Sequence, residues 1–183
     1  MKFFYFAYGS NLLGERLKAR CPSAELVGRA IANNHRFDFS KSSIDLSGKC
    51  NIRKRPGSVV AGAVYAIDEA EQPHLDRAEG THRTTDPVRY ERHHDFIVSL
   101  ENGSTVNTRT YQAATPERFD PPYDWYLALV IAGAIQNNLS SQHIAGLRQT
   151  RFRRDREAPG FGAAVDALKA AGYNKWEHLL ERD

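Results

Sequence analysis

The sequence predicts an α+β fold in which a mixed, barrel-like β-sheet is flanked by helices. Patterns of strand type crowd the first two-thirds of the chain and patterns of helix type follow, an order that suits this class better than a doubly wound parallel sheet. Asn102-Gly103 lies between two segments of strand character, 90–100 and 104–112, and marks a tight hairpin. A run from Pro122 to Leu139 is apolar nearly all round, through Trp125, Leu127, Leu129, Val130, Ile131 and Ile135, so it needs a sheet to bury it.

Taken in order, Phe3 to Ala7 is a short apolar run of high β propensity that meets Tyr8-Gly9-Ser10-Asn11 and then a helix over 12–20, with Ser10 or Asn11 suited to cap it. His35 to Phe39 alternates, and Val59 to Ile67 is nearly continuous in apolar residues; both read as strands. Around 72–79 a short helix is bounded by Pro73 in its first turn and Gly80 after its last. From Ser140 onward the spacing is helical, through Ile144 and Leu147, Val165 and Leu168, then Leu179 and Leu180. No repeat interrupts this order.

The chain has 183 residues, 41% hydrophobic and 26% charged, which bounds it to one soluble domain over 1–183 with 151–183 as a helical C-terminal extension. Its excess of +3 is too small for a dedicated nucleic-acid binder, and the basic run Arg151 to Arg156 reads as a solvated connector. The longest apolar stretch, Trp125 to Ile135, falls short of the roughly 20 residues that cross a bilayer. The apolar start gives way at Gly9 too soon for a cleavable leader, so a cytoplasmic protein is expected. Cys21 and Cys50, 29 residues apart, have no second Cys or His at finger-like spacing, so neither zinc nor a disulfide scaffold is expected. Adjacent strand residues such as His93 and His94 face opposite ways and do not share a metal. Gly9 to Gly14 matches G-x-x-x-x-G, but Glu15-Arg16 follows where a phosphate-binding loop needs Lys and Ser or Thr. No G-x-G-x-x-G or G-x-S-x-G occurs either; no cofactor is expected.

Two segments remain as candidate chemistry. The turn at 8–11 leaves backbone N–H groups unpaired and Gly9 allows close approach, which suits a small carboxylate; its plain alternative is a capped helix start. Glu79 shares a helix face with Leu75, which points it toward the apolar interior, and it meets the negative end of the helix dipole. Both effects favour the protonated acid, the tuning that a general base near neutral pH uses, although the spacing alone fits an exposed helix-end acid better. Asp76 falls off that face, Glu69 and Glu71 suit a helix start, and Tyr111 alone reads as a packed aromatic.

Phe6-Ala7-Tyr8-Gly9-Ser10-Asn11-Leu12 followed about 70 residues later by Leu75-Asp76-Arg77-Ala78-Glu79-Gly80 resembles the γ-glutamylcyclotransferase family. Glu15-Arg16, Pro22-Ser23-Ala24, Phe37-Asp38-Phe39, Pro56-Gly57 and Gly62-Ala63-Val64-Tyr65 follow that family's order, over roughly residues 3–140. The resemblance implies substrate binding by Tyr5, Phe6, Ala7, Tyr8, Gly9 and Ser10, a catalytic acid/base at Glu79, and Tyr111 lining the site. It implies cyclisation of a small γ-glutamyl compound to 5-oxoproline without metal or cofactor, and leaves open a homodimer. A γ-glutamylamine cyclotransferase acting on γ-glutamyl-ε-lysine isopeptides and a non-catalytic ligand-binding protein are the alternatives on the same fold. The stretch 81–89 is longer than the family pattern, 151–183 has no counterpart placed by sequence, and F-A-Y-G-S-N-L argues against a glutathione-specific role.

Overall fold

The computed structural model, which describes residues 1–43, 45–83, 85, 89–115 and 119–182, has strands at Lys2–Ala7 (β1), Glu25–Ser42 (β2), Gly48–Asp68 (β3), Tyr90–Leu100 (β4) and Thr105–Ala113 (β5). They close into a barrel in the order β1-β3-β2-β4-β5. Each neighbouring pair is antiparallel except β1 and β5, which meet in parallel at Tyr5 and Arg109 and close the ring. The mixed, barrel-like sheet is therefore present.

Strands β2 and β3 run much further than the alternating stretch 35–39 and the apolar run 59–67. Register shifts between Leu26 and Gly28, Asn33 and His35, and Asp38 and Lys41 move side chains from one face to the other. A period of two is broken at each, so pattern reading stops where the strand does not. Asn34 is left-handed (φ 58°) at one shift, and its side chain accepts the Gly57 amide at 3.1 Å.

The helix read over 12–20 is also different. Ser10–Leu12 makes one 3-10 turn, Leu13 is extended, and a short helix follows at Gly14–Lys18 (α1). Neither Ser10 nor Asn11 caps it; both side chains turn toward charged partners. By contrast Gln72–Glu79 (α2) ends as read, on Gly80 with φ 75°. Residues Asp124–Gln136 (α3) form the apolar helix, shorter than 122–139 because Asn137 turns its amide back onto the Gly133 carbonyl at 2.8 Å. Helices Ser141–Arg148 (α4) and Phe161–Ala170 (α5) and a 3-10 turn at Trp176–Leu180 complete the cover, with Leu168, Trp176 and Leu179 buried in the same core as α3.

The basic run 151–156 connects α4 to α5 with its four arginines exposed, as read, and it is also tied back to α3. Arg156 donates to Asp124 at 2.9 Å, and Asp124 is 1% exposed at the first turn of α3. Trp125 donates to the Asp155 carbonyl and Arg153 pairs with Tyr123 through the backbone. The run is pinned there because a buried carboxylate is costly unless paired. No helix among the described residues is long and apolar enough to cross a membrane.

Helix α3 lies against the turn after β1, and Gly133 makes that possible: a Cβ there would sit 2.5 Å from both Leu12 Cβ and the Leu13 nitrogen. Gly133→Ala should therefore lower the melting temperature, although Ala is the better helix former by about 1 kcal/mol. A thermal scan showing a raised midpoint would refute the close approach.

On α4, burial pushes the His143 imidazole below its ordinary 6.5, and its Nε2 has no hydrogen-bond partner among the described residues. The folded state therefore holds fewer protons than the unfolded chain just below that value, so this contribution is intact above pH 6.5 and lost as pH falls toward the folded pKa. His143→Phe should flatten the fall of melting temperature between pH 7 and 5, relative to wild type; parallel curves would show that His143 plays no part.

Candidate active site

The end of β1 and the end of α2 meet at one point. Glu79, with its side chain 13% exposed, accepts hydrogen bonds at Oε1 from Asn11 Nδ2 at 2.8 Å and from Arg20 at 2.9 Å. Arg20 also donates to Asn11 Oδ1 at 2.8 Å, so the amide and the guanidinium hold the carboxylate as a triangle. These charge-assisted donors fix the position of the carboxylate. Leu75 on the same face is fully buried, as its spacing from Glu79 required.

Around Glu79 stands a cage of phenols. Asn11 Nδ2 also donates to the Tyr5 hydroxyl at 3.0 Å. Tyr8 donates to the Tyr111 carbonyl, and the Tyr111 hydroxyl donates to Asp76 at 2.8 Å while accepting from Gln72 at 2.8 Å. Burial first, then nearby negative groups, pushes Tyr5 and Tyr111 well above the ordinary range, and burial does the same to Tyr8. All three stay neutral near pH 7 and are hydrogen-bond donors rather than anions. Burial also pushes the Cys50 thiol up to about 12, so it is no nucleophile at neutral pH.

Of the residues singled out in the sequence, Tyr5, Tyr8, Gly9, Ser10, Tyr111 and Glu79 line one cavity. Phe6 and Ala7 do not. The Phe6 ring stacks on Phe96 inside the barrel and Ala7 pairs with Ala63 in the sheet, both fully buried. Packing also requires Gly9, because a Cβ there would lie 2.9 Å from Cys50 Cβ. The Gly9 and Ser10 amides meet no acceptor among the described residues, as the turn suggested.

Four contributors escaped the sequence reading. Arg20 lies beyond α1, where no motif marks it. Tyr126 hid in a helix read as wholly apolar; its hydroxyl accepts the Cys50 amide at 3.1 Å. Tyr90 donates to the Cys50 carbonyl from the first position of β4. Asp76 was placed off the face of Glu79, yet Arg92 and Tyr111 both bond it, because β4 and β5 pass beside that flank of α2. Glu71 and Glu69 are structural: Glu71 holds Ser23 and Glu69 pairs with Arg109.

The cavity opens outward, past Glu79, Ser10 and Tyr126, into a cleft of about 250 Å³ bordered by Arg16, Lys49, Arg77 and Arg83. Residues 84 and 86–88 of the longer stretch lie outside the described residues. Among the described residues no three of His, Cys, Asp or Glu gather to hold a metal ion.

A family model described as AIG2-like matches residues 59–147. The γ-glutamylcyclotransferase of Bos taurus is 31% identical over 147 residues, covering 77% of this chain and 74% of its own length. That of Homo sapiens is 31% identical over 146 residues with the same coverage. A solved γ-glutamyl cyclotransferase structure superposes with a TM-score of 0.80 at 27% identity, covering 93% of this chain and 99% of its own. That coverage leaves about 13 of 183 residues unmatched, so most of 151–183 has a structural counterpart that the sequence did not place. By its identity to the two enzymes over most of their length, and by the barrel it shares with the solved one, the chain belongs to the γ-glutamylcyclotransferase family.

Proposed function

We propose that the protein cyclises γ-glutamyl amino acids to 5-oxoproline, with Glu79 as the proton carrier. One observation supports this most: a carboxylate set in a cage of neutral donors, at the head of a cleft that opens outward from it. The substrate brings its own nucleophile. Its α-amine nitrogen attacks the γ-carbonyl carbon, the new C–N bond closes a five-membered lactam, and the old C–N bond breaks to release the amino acid.

Glu79 removes a proton from the α-ammonium and returns it to the departing amine. The Gly9 and Ser10 amides and the Tyr5 hydroxyl, which accepts from Asn11 and keeps its own proton to give, offer donors to the α-carboxylate or to the developing oxyanion. Folding the γ-glutamyl chain so that amine meets carbonyl supplies much of the acceleration, since effective molarities reach about 10⁵ M in favourable intramolecular cases. Cytoplasmic action belongs to the same proposal and is supported by two free, buried thiols.

Glu79→Gln keeps the size and one acceptor but cannot carry the proton. It should lower kcat on γ-glutamyl-L-alanine by about 10²-fold or more, measured by NMR of 5-oxoproline, with circular dichroism unchanged. Retention of activity within tenfold would remove Glu79 from the role. Because the substrate supplies the nucleophile and Glu79 the proton transfer, dialysis against EDTA should leave kcat unchanged; loss that zinc or magnesium restores would contradict this chemistry.

A further inference from the structure

Glu79 is held by one of its two oxygens. Its Oε1 accepts from Asn11 Nδ2 at 2.8 Å and from Arg20 Nη1 at 2.9 Å. A carboxylate oxygen offers two lone pairs, so both positions on Oε1 are filled by N–H hydrogens. Oε2 accepts nothing among the described residues, and it is open to solvent, since the one sealed and unpartnered polar side-chain atom among them is His143 Nε2. Resting on the proposed cyclisation, we propose that Oε2 is the atom of Glu79 that takes and returns the proton, and that Arg20 and Asn11 are positioning residues that keep Oε1 out of that exchange.

The hydrogens account for the arrangement. Arg20 Nη1 carries two: one goes to Glu79 Oε1 and the other to Asn11 Oδ1 at 2.8 Å. Asn11 Nδ2 also carries two: one goes to Oε1 and the other to the Tyr5 hydroxyl at 3.0 Å. None is left over, and the amide has one orientation only, because turning it over would set Oδ1 against the carboxylate and Nδ2 against the guanidinium. A proton arriving at Oε1 would meet two hydrogens already there. At Oε2 it meets none: the N–H bond of the α-ammonium breaks as the Oε2–H bond forms, and Oε2–H breaks as the leaving nitrogen gains its hydrogen. Protonated Glu79 keeps both contacts, since the carbonyl oxygen of a carboxylic acid still accepts. The side chain therefore needs no rotation between the two transfers. Glu79 borders both the inner cavity and the outer cleft, so Oε2 is the available oxygen whichever of them takes the γ-glutamyl group.

The experiment is a double-mutant cycle on kcat for γ-glutamyl-L-alanine, with wild type, Arg20→Ala, Glu79→Gln and the double variant compared by NMR of 5-oxoproline. Arg20→Ala should lower kcat by about 10- to 100-fold, the cost of a misplaced reacting group, with KM within about threefold of wild type. In the Glu79→Gln background the same change should move kcat by less than about twofold, because Arg20 acts through Glu79. Guanidinium chloride at about 50 mM, far below the molar range that unfolds proteins, should restore part of kcat to Arg20→Ala where sodium chloride does not. An equal loss in both backgrounds overturns the proposal and makes Arg20 a structural support. A raised KM with kcat kept also overturns it, and places Arg20 on the substrate. Should Arg20→Ala not fold, Arg20→Lys carries the same cycle with an intermediate loss expected, and wild-type kcat in that variant overturns the proposal as well. Should Glu79→Gln turn over too slowly to compare, KM and the guanidinium response decide. If Glu79→Gln keeps its activity, or wild type releases no 5-oxoproline, the cyclisation reading itself is wrong.

Discussion

The carbonyl of Leu12 is the fixed point of this molecule. Tyr65 from β3 and Asn137 from the end of α3 both donate to it, at 2.8 and 2.7 Å. Gly133 lets the helix approach closely enough for Asn137 to reach. A single backbone oxygen thus ties the barrel wall and the most buried helix to the turn that carries the site. Asn11 is the residue before it, so its amide is presented to Glu79 and Tyr5 by a backbone with little freedom to move.

Charge is distributed around that point with a sharp asymmetry. The inner cavity holds one carboxylate among phenols that burial keeps protonated, while positive groups gather at the outer rim. Asp76, which could have been a second acid at the centre, is tied down by Arg92 and by the Tyr111 hydroxyl. Arg92 and Tyr111 hold Asp76 while Arg20 and Asn11 hold Glu79, so each carboxylate has its own partners, and Tyr111 is oriented at the same stroke.

How much of this was legible in the sequence follows from the range of each interaction. Short-range signals read well: Pro73 and Gly80 set the limits of α2, Asn102-Gly103 set the hairpin, and Leu75 fixed the direction of Glu79. Strand lengths did not, because the register shifts at Asn33 and Asp38 destroy the alternation that pattern reading follows. Arg20 could not have been found, since its partner is 59 residues away and nothing local distinguishes it from any basic residue at a helix end. Tyr126 was hidden by its own neighbourhood: in a helix buried on every side, a phenol looks like one more apolar group until its hydroxyl is seen on the Cys50 amide. Phe6 and Ala7 show the converse, a motif whose residues divide between site and core.

The parallel seam between β1 and β5 has a consequence for how the molecule comes into being. The first strand can pair with β3 early, but its seam with β5 and the clamp on its turn wait for segments far along the chain. Tyr8 reaches a carbonyl 103 residues on and Leu12 an amide 125 residues on. Contacts of such separation repay the entropy of closing the intervening loop only at the end, which makes them late and slow. Catalytic competence is therefore a property of the closed ring and of no fragment of it, and the appearance of turnover during refolding would time the moment at which the ring shuts.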